Sequence, residues 1–151
     1  MTRESTNCVP EAKWKPGDEI ITGCRTVDAS TIARFAALAG NYDQIHTDSV
    51  FMASSRFGHR IAHGSLTYAL ASGLLAAAGY RTDSHDEVTN LRTTKPVYAG
   101  DTLHVVGSVR AVSDPGGRVT SAAFSVKNQH GEDVLTFSHG KPRMEVTPYP
   151  Y

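Results

Sequence analysis

Two stretches in the first half of the chain carry apolar residues at helical spacing. In the first, Ile32, Phe35 and Ala36 recur after Asp28, a residue type that caps helix N-termini. Gly40 follows, and glycine is common just beyond a helix C-terminus because it adopts the left-handed conformation without strain. The pattern therefore predicts a helix that begins after Asp28 and ends at Gly40.

The second stretch, residues 65–78, is apolar on nearly every face. That pattern is typical of a helix enclosed by other elements. Between the two stretches, residues 41–48 are polar and predict a loop, and residues 49–54 predict a short helix.

The second half of the chain has the alternation that is typical of β-strands. Leu103, Val105 and Val109 fall on one face of an extended segment, as in a half-buried strand. Turn-forming residues separate several such segments, and consecutive strands joined by short turns form an antiparallel meander. The predicted strands cover residues 19–26, 87–97, 102–113, 118–128 and 132 to about 144. This order predicts an α+β fold, in which a curved antiparallel sheet wraps around the long buried helix.

The chain has 151 residues, which is enough for one hydrophobic core. We expect a single domain over residues 16–145, a flexible N-terminal arm at residues 1–15 and a C-terminal tail at residues 146–151. The 15 Lys and Arg residues balance the 15 Asp and Glu residues, so the formal net charge is 0. A neutral chain has no basic field for nucleic acid or an anionic membrane, and we expect neither partner.

Cysteine usage and the N-terminal residues bear on location and cofactors. Cys8 and Cys24 are too few for a disulfide framework and favour reduced thiols. The first residues lack the apolar core of a signal peptide, and residues 68–80 are too short to cross a bilayer, so we expect a cytoplasmic protein. His59 and His63 have a spacing that suits zinc on a helix, but no third ligand accompanies them. We therefore expect no metal. The sequence also has no Gly-rich loop that would cradle phosphates, so we expect no cofactor.

Three motifs carry the candidate chemistry. Residues 40–46 read Gly-Asn-Tyr-Asp-Gln-Ile-His, and residues 57–64 read Phe-Gly-His-Arg-Ile-Ala-His-Gly. Residues 95–103 read Lys-Pro-Val-Tyr-Ala-Gly-Asp-Thr-Leu. In this order and spacing, the motifs resemble those of the MaoC-like hydratase/dehydratase family, which has the hot-dog fold. The resemblance extends over about residues 16–145.

The resemblance implies an enzyme that adds water to a trans-2-enoyl thioester, or removes it from an (R)-3-hydroxyacyl thioester. The acyl group would be carried by CoA or by an acyl carrier protein, in fatty-acid or polyketide metabolism. His46 matches the family's catalytic histidine, and Gly64 matches the glycine whose backbone N–H polarises the thioester carbonyl. A helix N-terminus suits the negative charge that develops there. The resemblance also implies substrate contacts at Ser72 and His63 and a homodimer or higher homo-oligomer, which unpaired sheet edges favour as well.

The first motif departs from the family pattern. Asn41 stands where the family has its catalytic Asp, Asp43 stands where the motif has Asn, and Gln44 replaces Pro. Asparagine orients a water molecule but does not accept a proton, so Asp43 becomes the expected catalytic carboxylate. Asn41 is expected in the catalytic site too, as a contact to substrate or water. Two alternatives stay open, namely a repurposed hot-dog enzyme, such as a cyclase or isomerase in polyketide tailoring, and a non-catalytic partner subunit. A hot-dog thioesterase is disfavoured by the three motifs.

Overall fold

The computed structural model describes residues 14–80, 87–113 and 118–140. Most of the expected N-terminal arm and all of the expected tail at residues 146–151 lie outside the described residues. At the edge of the arm, Trp14 packs against the hydrophobic core.

Four helices precede most of the sheet. Helix α1 spans Ala29–Ala39, and the Asp28 carboxylate caps it by accepting the N–H of Thr31 at 2.6 Å. It ends at Gly40, which has a φ of 67°, as the glycine predicted. Helices α2, α3 and α4 span Gln44–Thr47, Ser49–Ala53 and Gly64–Ala77. The structure confirms α1, α3 and α4 within one or two residues.

Helix α2 corrects the prediction of a loop over residues 41–48. Asp43 caps this short helix, since its carboxylate accepts the N–H of Ile45 at 3.1 Å. A single turn with one apolar side chain has no periodicity to read, and only the cap residue signals it.

The strands form an antiparallel sheet with the order β1-β4-β5-β6-β3, and β2 also pairs with β4. Along β4, every second residue from Leu103 to Val109 is buried, which is the predicted alternation. The sheet thus confirms the predicted α+β class. The strand bounds are Glu19–Ile21 for β1, Arg25–Thr26 for β2, Glu87–Thr93 for β3, Thr102–Ser113 for β4, Arg118–Lys127 for β5 and Asp133–Gly140 for β6.

Two predicted strands are shorter than expected. The strand expected at residues 19–26 divides after Ile21. The Thr22 N–H still donates to the Val105 carbonyl, but the N–H of Val105 donates at 2.9 Å to the Thr22 hydroxyl, which in turn donates to the Gly23 carbonyl. The strand expected at residues 87–97 ends at Thr93. Beyond that point, the N–H groups of residues 94 and 95 both point to the carbonyl of Val134, and Pro96 has no N–H to continue the ladder.

The sequence predicts that α4 is enclosed by other elements. In the structure, α4 packs against the sheet on one side only. Leu66, Ala71 and Leu75 lie in the hydrophobic core together with inward side chains of β4, β5 and β6. On the opposite face, Ala69 and Gly73 are exposed, because within one chain the sheet covers α4 from one side only. In the three described ranges, no helix has the length and apolar character that a membrane crossing needs.

Candidate active site

His46 lies on α2 and is anchored through one ring nitrogen. Its Nδ1 is 2.8 Å from the carbonyl oxygen of Ile61, and the residue is 8% exposed. The backbone holds the same two segments together, because the N–H of Ile61 donates to the carbonyl of Ile45 at 3.0 Å. A carbonyl oxygen only accepts hydrogen bonds, so Nδ1 carries the proton in the neutral ring and Nε2 keeps a lone pair. His46 can therefore accept a proton at Nε2.

Gly64 is the first residue of α4, and no side chain caps the helix there. The first N–H groups of a helix have no carbonyl partner within it, and the helix dipole places partial positive charge at the same end. A Cβ at position 64 would lie 2.7 Å from Cγ2 of Thr93. The close approach of β3 therefore requires glycine at this position.

His46 and Gly64 open onto the same cleft, which has a volume of about 420 Å³. Its walls come from α2, from residues 56–62, from the first turn of α4, from residues 93–97 and from Val134 of β6. The charged side chains in the wall are Arg56 and Lys95. Among the described residues, no carboxylate lines this cleft, so His46 is the side chain there best suited to accept and return a proton.

Asn41 and Asp43, whose residue types are exchanged relative to the family motif, do not line the cleft. The Asn41 side-chain oxygen accepts the N–H of Asp43 at 3.2 Å, and the Asp43 carboxylate caps α2. Both side chains are exposed. The structure thus assigns them to the turn that leads into the helix carrying His46, and a catalytic role for either stays a prediction.

His63 is buried beside His46 rather than exposed in the cleft. It is 2% exposed, and its ring stacks on that of His46 with centroids 3.6 Å apart. On another side, the Phe35 ring centroid lies 5.1 Å away. His63 Nε2 is 3.1 Å from the carbonyl oxygen of Asn41, whereas Nδ1 is buried without a partner. Burial lowers the pKa of His63 from its ordinary value, and the nearby His46 adds to this, while the Asn41 carbonyl and the Asp43 charge oppose it.

The predicted substrate contact Ser72 also lies away from the cleft wall. Its hydroxyl donates to the carbonyl of Tyr68, one turn earlier in α4, at 3.1 Å. Sequence reasoning missed Thr67 and Thr93, which do line the cleft. Thr67 follows Gly64 by one helical turn and could have been found from that spacing, whereas Thr93 reaches the site only through the pairing of β3 with β6. In the described part of the chain, no group of three or more His, Cys, Asp or Glu side chains is placed to hold a metal ion.

Comparison with known proteins identifies the family. The model of the MaoC like domain matches residues 12–130 of the chain. The chain belongs to the MaoC-like domain family.

Two curated relatives and one solved structure show the extent of the similarity. Protein MaoC of Klebsiella aerogenes is 34% identical over 120 residues, which are 79% of this chain but 32% of that protein, so the chain spans about a third of its length. The (R)-specific enoyl-CoA hydratase of Aeromonas caviae is 31% identical over 99 residues, which are 64% of this chain and 74% of the hydratase.

The structure of the R-hydratase PhaJ1 from Pseudomonas aeruginosa superposes with a TM-score of 0.66 at 29% identity, covering 87% of this chain and 83% of that one. Such neighbours have the hot-dog fold, which confirms the expected fold for this MaoC-like domain.

Proposed function

We propose that this MaoC-like domain is a hydratase/dehydratase that acts on enoyl and (R)-3-hydroxyacyl thioesters of CoA or acyl carrier protein, in fatty-acid or polyketide metabolism. One observation carries the proposal. The anchored His46 and the N-terminus of α4 at Gly64 open onto the same cleft. The site therefore combines a proton acceptor with a place for developing negative charge.

In the hydration direction, the thioester carbonyl oxygen accepts a hydrogen bond from the Gly64 N–H. His46 Nε2 takes a proton from water as the water oxygen bonds to the β-carbon, and the C=C electron pair moves toward the carbonyl oxygen. The resulting enolate is stabilised at the N-terminus of α4. The α-carbon then takes the proton back from His46, so that one water has been added and the histidine is neutral again. Dehydration follows the same steps in reverse.

The first test is the rate of crotonyl-CoA hydration, followed as loss of enoyl absorbance. If His46 carries the proton, His46→Ala lowers the rate by roughly 10²–10⁴ while the circular dichroism spectrum is unchanged. His130→Ala is the matched control, because that histidine is exposed in the turn between β5 and β6. A folded His46→Ala protein with near-normal turnover would remove His46 from the mechanism.

The repurposed enzyme remains a second candidate because of one observation. Position 41 is an amide, and no carboxylate lines the cleft among the described residues. A cyclase or isomerase, or a non-catalytic subunit, would keep the thioester cleft without activating water. Binding of acyl-CoA in calorimetry, with no hydration at any chain length, would favour this candidate.

We also propose a homodimer that forms through β3. All residues of this strand are exposed in the single chain, and β3 is an edge of the sheet that the described residues form. Val88 and Leu91 on it are 40% and 49% exposed. An edge strand with exposed apolar side chains is a template for pairing with another chain. Because Thr93 belongs both to this strand and to the cleft wall, the second copy would lie next to the site.

A further inference from the structure

We propose that His63 is a positioning residue for the proposed reaction, and that its Nε2–H holds the turn leading into α2 so that His46 and Gly64 keep a fixed separation. The inference rests on the proposed function for its kinetic consequences, but its structural content is independent of it.

The position of His63 in the chain makes the coupling direct. His63 is the N-cap residue of α4 and immediately precedes Gly64, whose N–H faces the thioester in the proposed mechanism. Its ring packs face to face on His46, which lies on a different helix. One side chain therefore contacts the proton carrier and adjoins the carbonyl-binding residue.

The hydrogen bond to Asn41 extends the coupling into the turn before α2. His63 Nε2 donates to the Asn41 carbonyl, the Asn41 side chain accepts the N–H of Asp43, and the Asp43 carboxylate caps α2. These three hydrogen bonds form a continuous path from the start of α4 to the start of the helix that carries His46. Loss of the first bond releases the turn while leaving the other two in place.

The unpartnered Nδ1 indicates that the hydrogen bond, and not the ring alone, is what this position requires. A phenylalanine ring at position 63 would stack on His46 without placing a polar atom in the core. The imidazole leaves its Nδ1 buried with no partner, which costs free energy. A favourable interaction that an apolar ring does not make must offset this cost. Among the described contacts of His63, that interaction is the Nε2–H hydrogen bond to the Asn41 carbonyl.

The charged and titratable groups that face His63 are consistent with a neutral ring. His46 lies on one face, and Asp43 is close enough to act through its charge. A second positive charge beside His46 would oppose protonation of the proton carrier, so a neutral His63 leaves His46 free to take up a proton during the reaction.

Two substitutions separate the hydrogen bond from the ring. His63→Gln places an amide N–H where Nε2 stands and removes the stacked ring, whereas His63→Phe keeps a ring and removes the donor. We expect His63→Phe to fold and to lower kcat for crotonyl-CoA by roughly tenfold or more with little change in KM, because the reacting groups are displaced rather than removed. His63→Gln should recover most of the lost kcat. Equal losses in both variants, or a His63→Phe protein with wild-type kcat, would overturn the proposal.

A measurement that needs no activity keeps the proposal testable if the variants do not fold. In the wild-type protein at pH 8, ¹⁵N shifts of the imidazole nitrogens should show His63 protonated at Nε2 only. A His63 that carries its proton on Nδ1 at this pH would overturn the assignment. A wild-type protein with these shifts but no turnover of any acyl thioester would instead contradict the proposed function while supporting the role of His63 in holding the turn.

Discussion

At the scale of single residues, Gly64 has both a structural and a proposed chemical role, and these can be separated. The Cβ of alanine at position 64 would lie 2.7 Å from Cγ2 of Thr93. Threonine is branched at Cβ and has little freedom to move aside. We expect Gly64→Ala to lower the free energy of unfolding by about 1–3 kcal/mol, as overpacking does, in urea titrations followed by circular dichroism.

The double variant Gly64→Ala with Thr93→Ser tests the cause. Serine lacks Cγ2, so the contact disappears while the backbone N–H at position 64 remains, and both stability and turnover should recover. Gly73→Ala is the control in the same helix, because a Cβ there meets nothing within 4 Å. Failure of Thr93→Ser to restore stability would show that the contact with Thr93 is not the reason for glycine.

Burial of His63 predicts a pH dependence of stability. Burial lowers the pKa of His63 in the folded protein below its ordinary value of 6.5, so below that value the unfolded chain binds more protons than the folded one. Above about pH 6.5, His63 is neutral in both states and protonation does not affect the free energy of unfolding. Below that pH, protonation of His63 in the unfolded chain lowers the free energy of unfolding. The free energy of unfolding should decrease from pH 7 to pH 5 in the wild type.

His63→Phe should make this pH dependence weaker, and urea titrations at each pH measure it. The pKa values of Glu132 and Asp133 are also lowered, mainly by hydrogen bonds from Lys95 and Lys127, respectively. Their ordinary values of 4.5 and 3.8 place most of their effect below pH 5, largely outside this window. An unchanged slope in His63→Phe would show that other groups cause the pH dependence.

At the scale of elements, the cap of α2 determines how Asp43 should be tested. Asparagine caps a helix about as well as aspartate, whereas alanine does not. If Asp43 acts only as a cap, Asp43→Asn keeps the crotonyl-CoA hydration rate, and Asp43→Ala lowers it by loosening the helix that carries His46. If the Asp43 carboxylate accepts a proton in the reaction, Asp43→Asn abolishes hydration. The described geometry, in which the carboxylate binds the Ile45 N–H, favours the first result.

The sequence predicted the elements whose pattern is repeated over several turns or pleats. Helix α1 and strand β4 are examples, since α1 buries Ile32 and Ala36 on one face and β4 buries every second residue from Leu103 to Val109. Helix α2 was missed because a single turn has no period, and the end of β3 at Thr93 depends on how the next residues bond to β6.

The candidate site was predictable in part for a related reason. His46 and Gly64 belong to motifs close together in the chain, and the structure places both on one cleft. Ser72 follows Gly64 on α4 but does not line that cleft, since a shared helix does not imply a shared face. The burial of His63 and the contact of Thr93 with Gly64 arise from tertiary packing, which no local pattern encodes.

At the scale of the whole molecule, the exposed edge of the sheet predicts how copies assemble. We expect the wild type to be a dimer in sedimentation experiments and Val88→Lys to be a monomer, because a charge on an edge strand opposes pairing. Ile21→Lys is the matched control, since Ile21 is 64% exposed on β1 at the opposite edge. A dimer that persists in Val88→Lys and dissociates in Ile21→Lys would place the interface at the other edge.

The proposed function requires this domain to hydrate enoyl thioesters although position 41 is an amide. The most direct measurement is the hydration rate of enoyl-CoA substrates of several chain lengths by the wild type and by Asn41→Asp, compared side by side. We expect turnover by the wild type at one or more lengths and little change on Asn41→Asp, because His46 and the Gly64 N–H already supply the proposed chemistry. A wild type that is inactive at every length, with activity gained in Asn41→Asp, would contradict the proposed function and identify the domain as a repurposed relative.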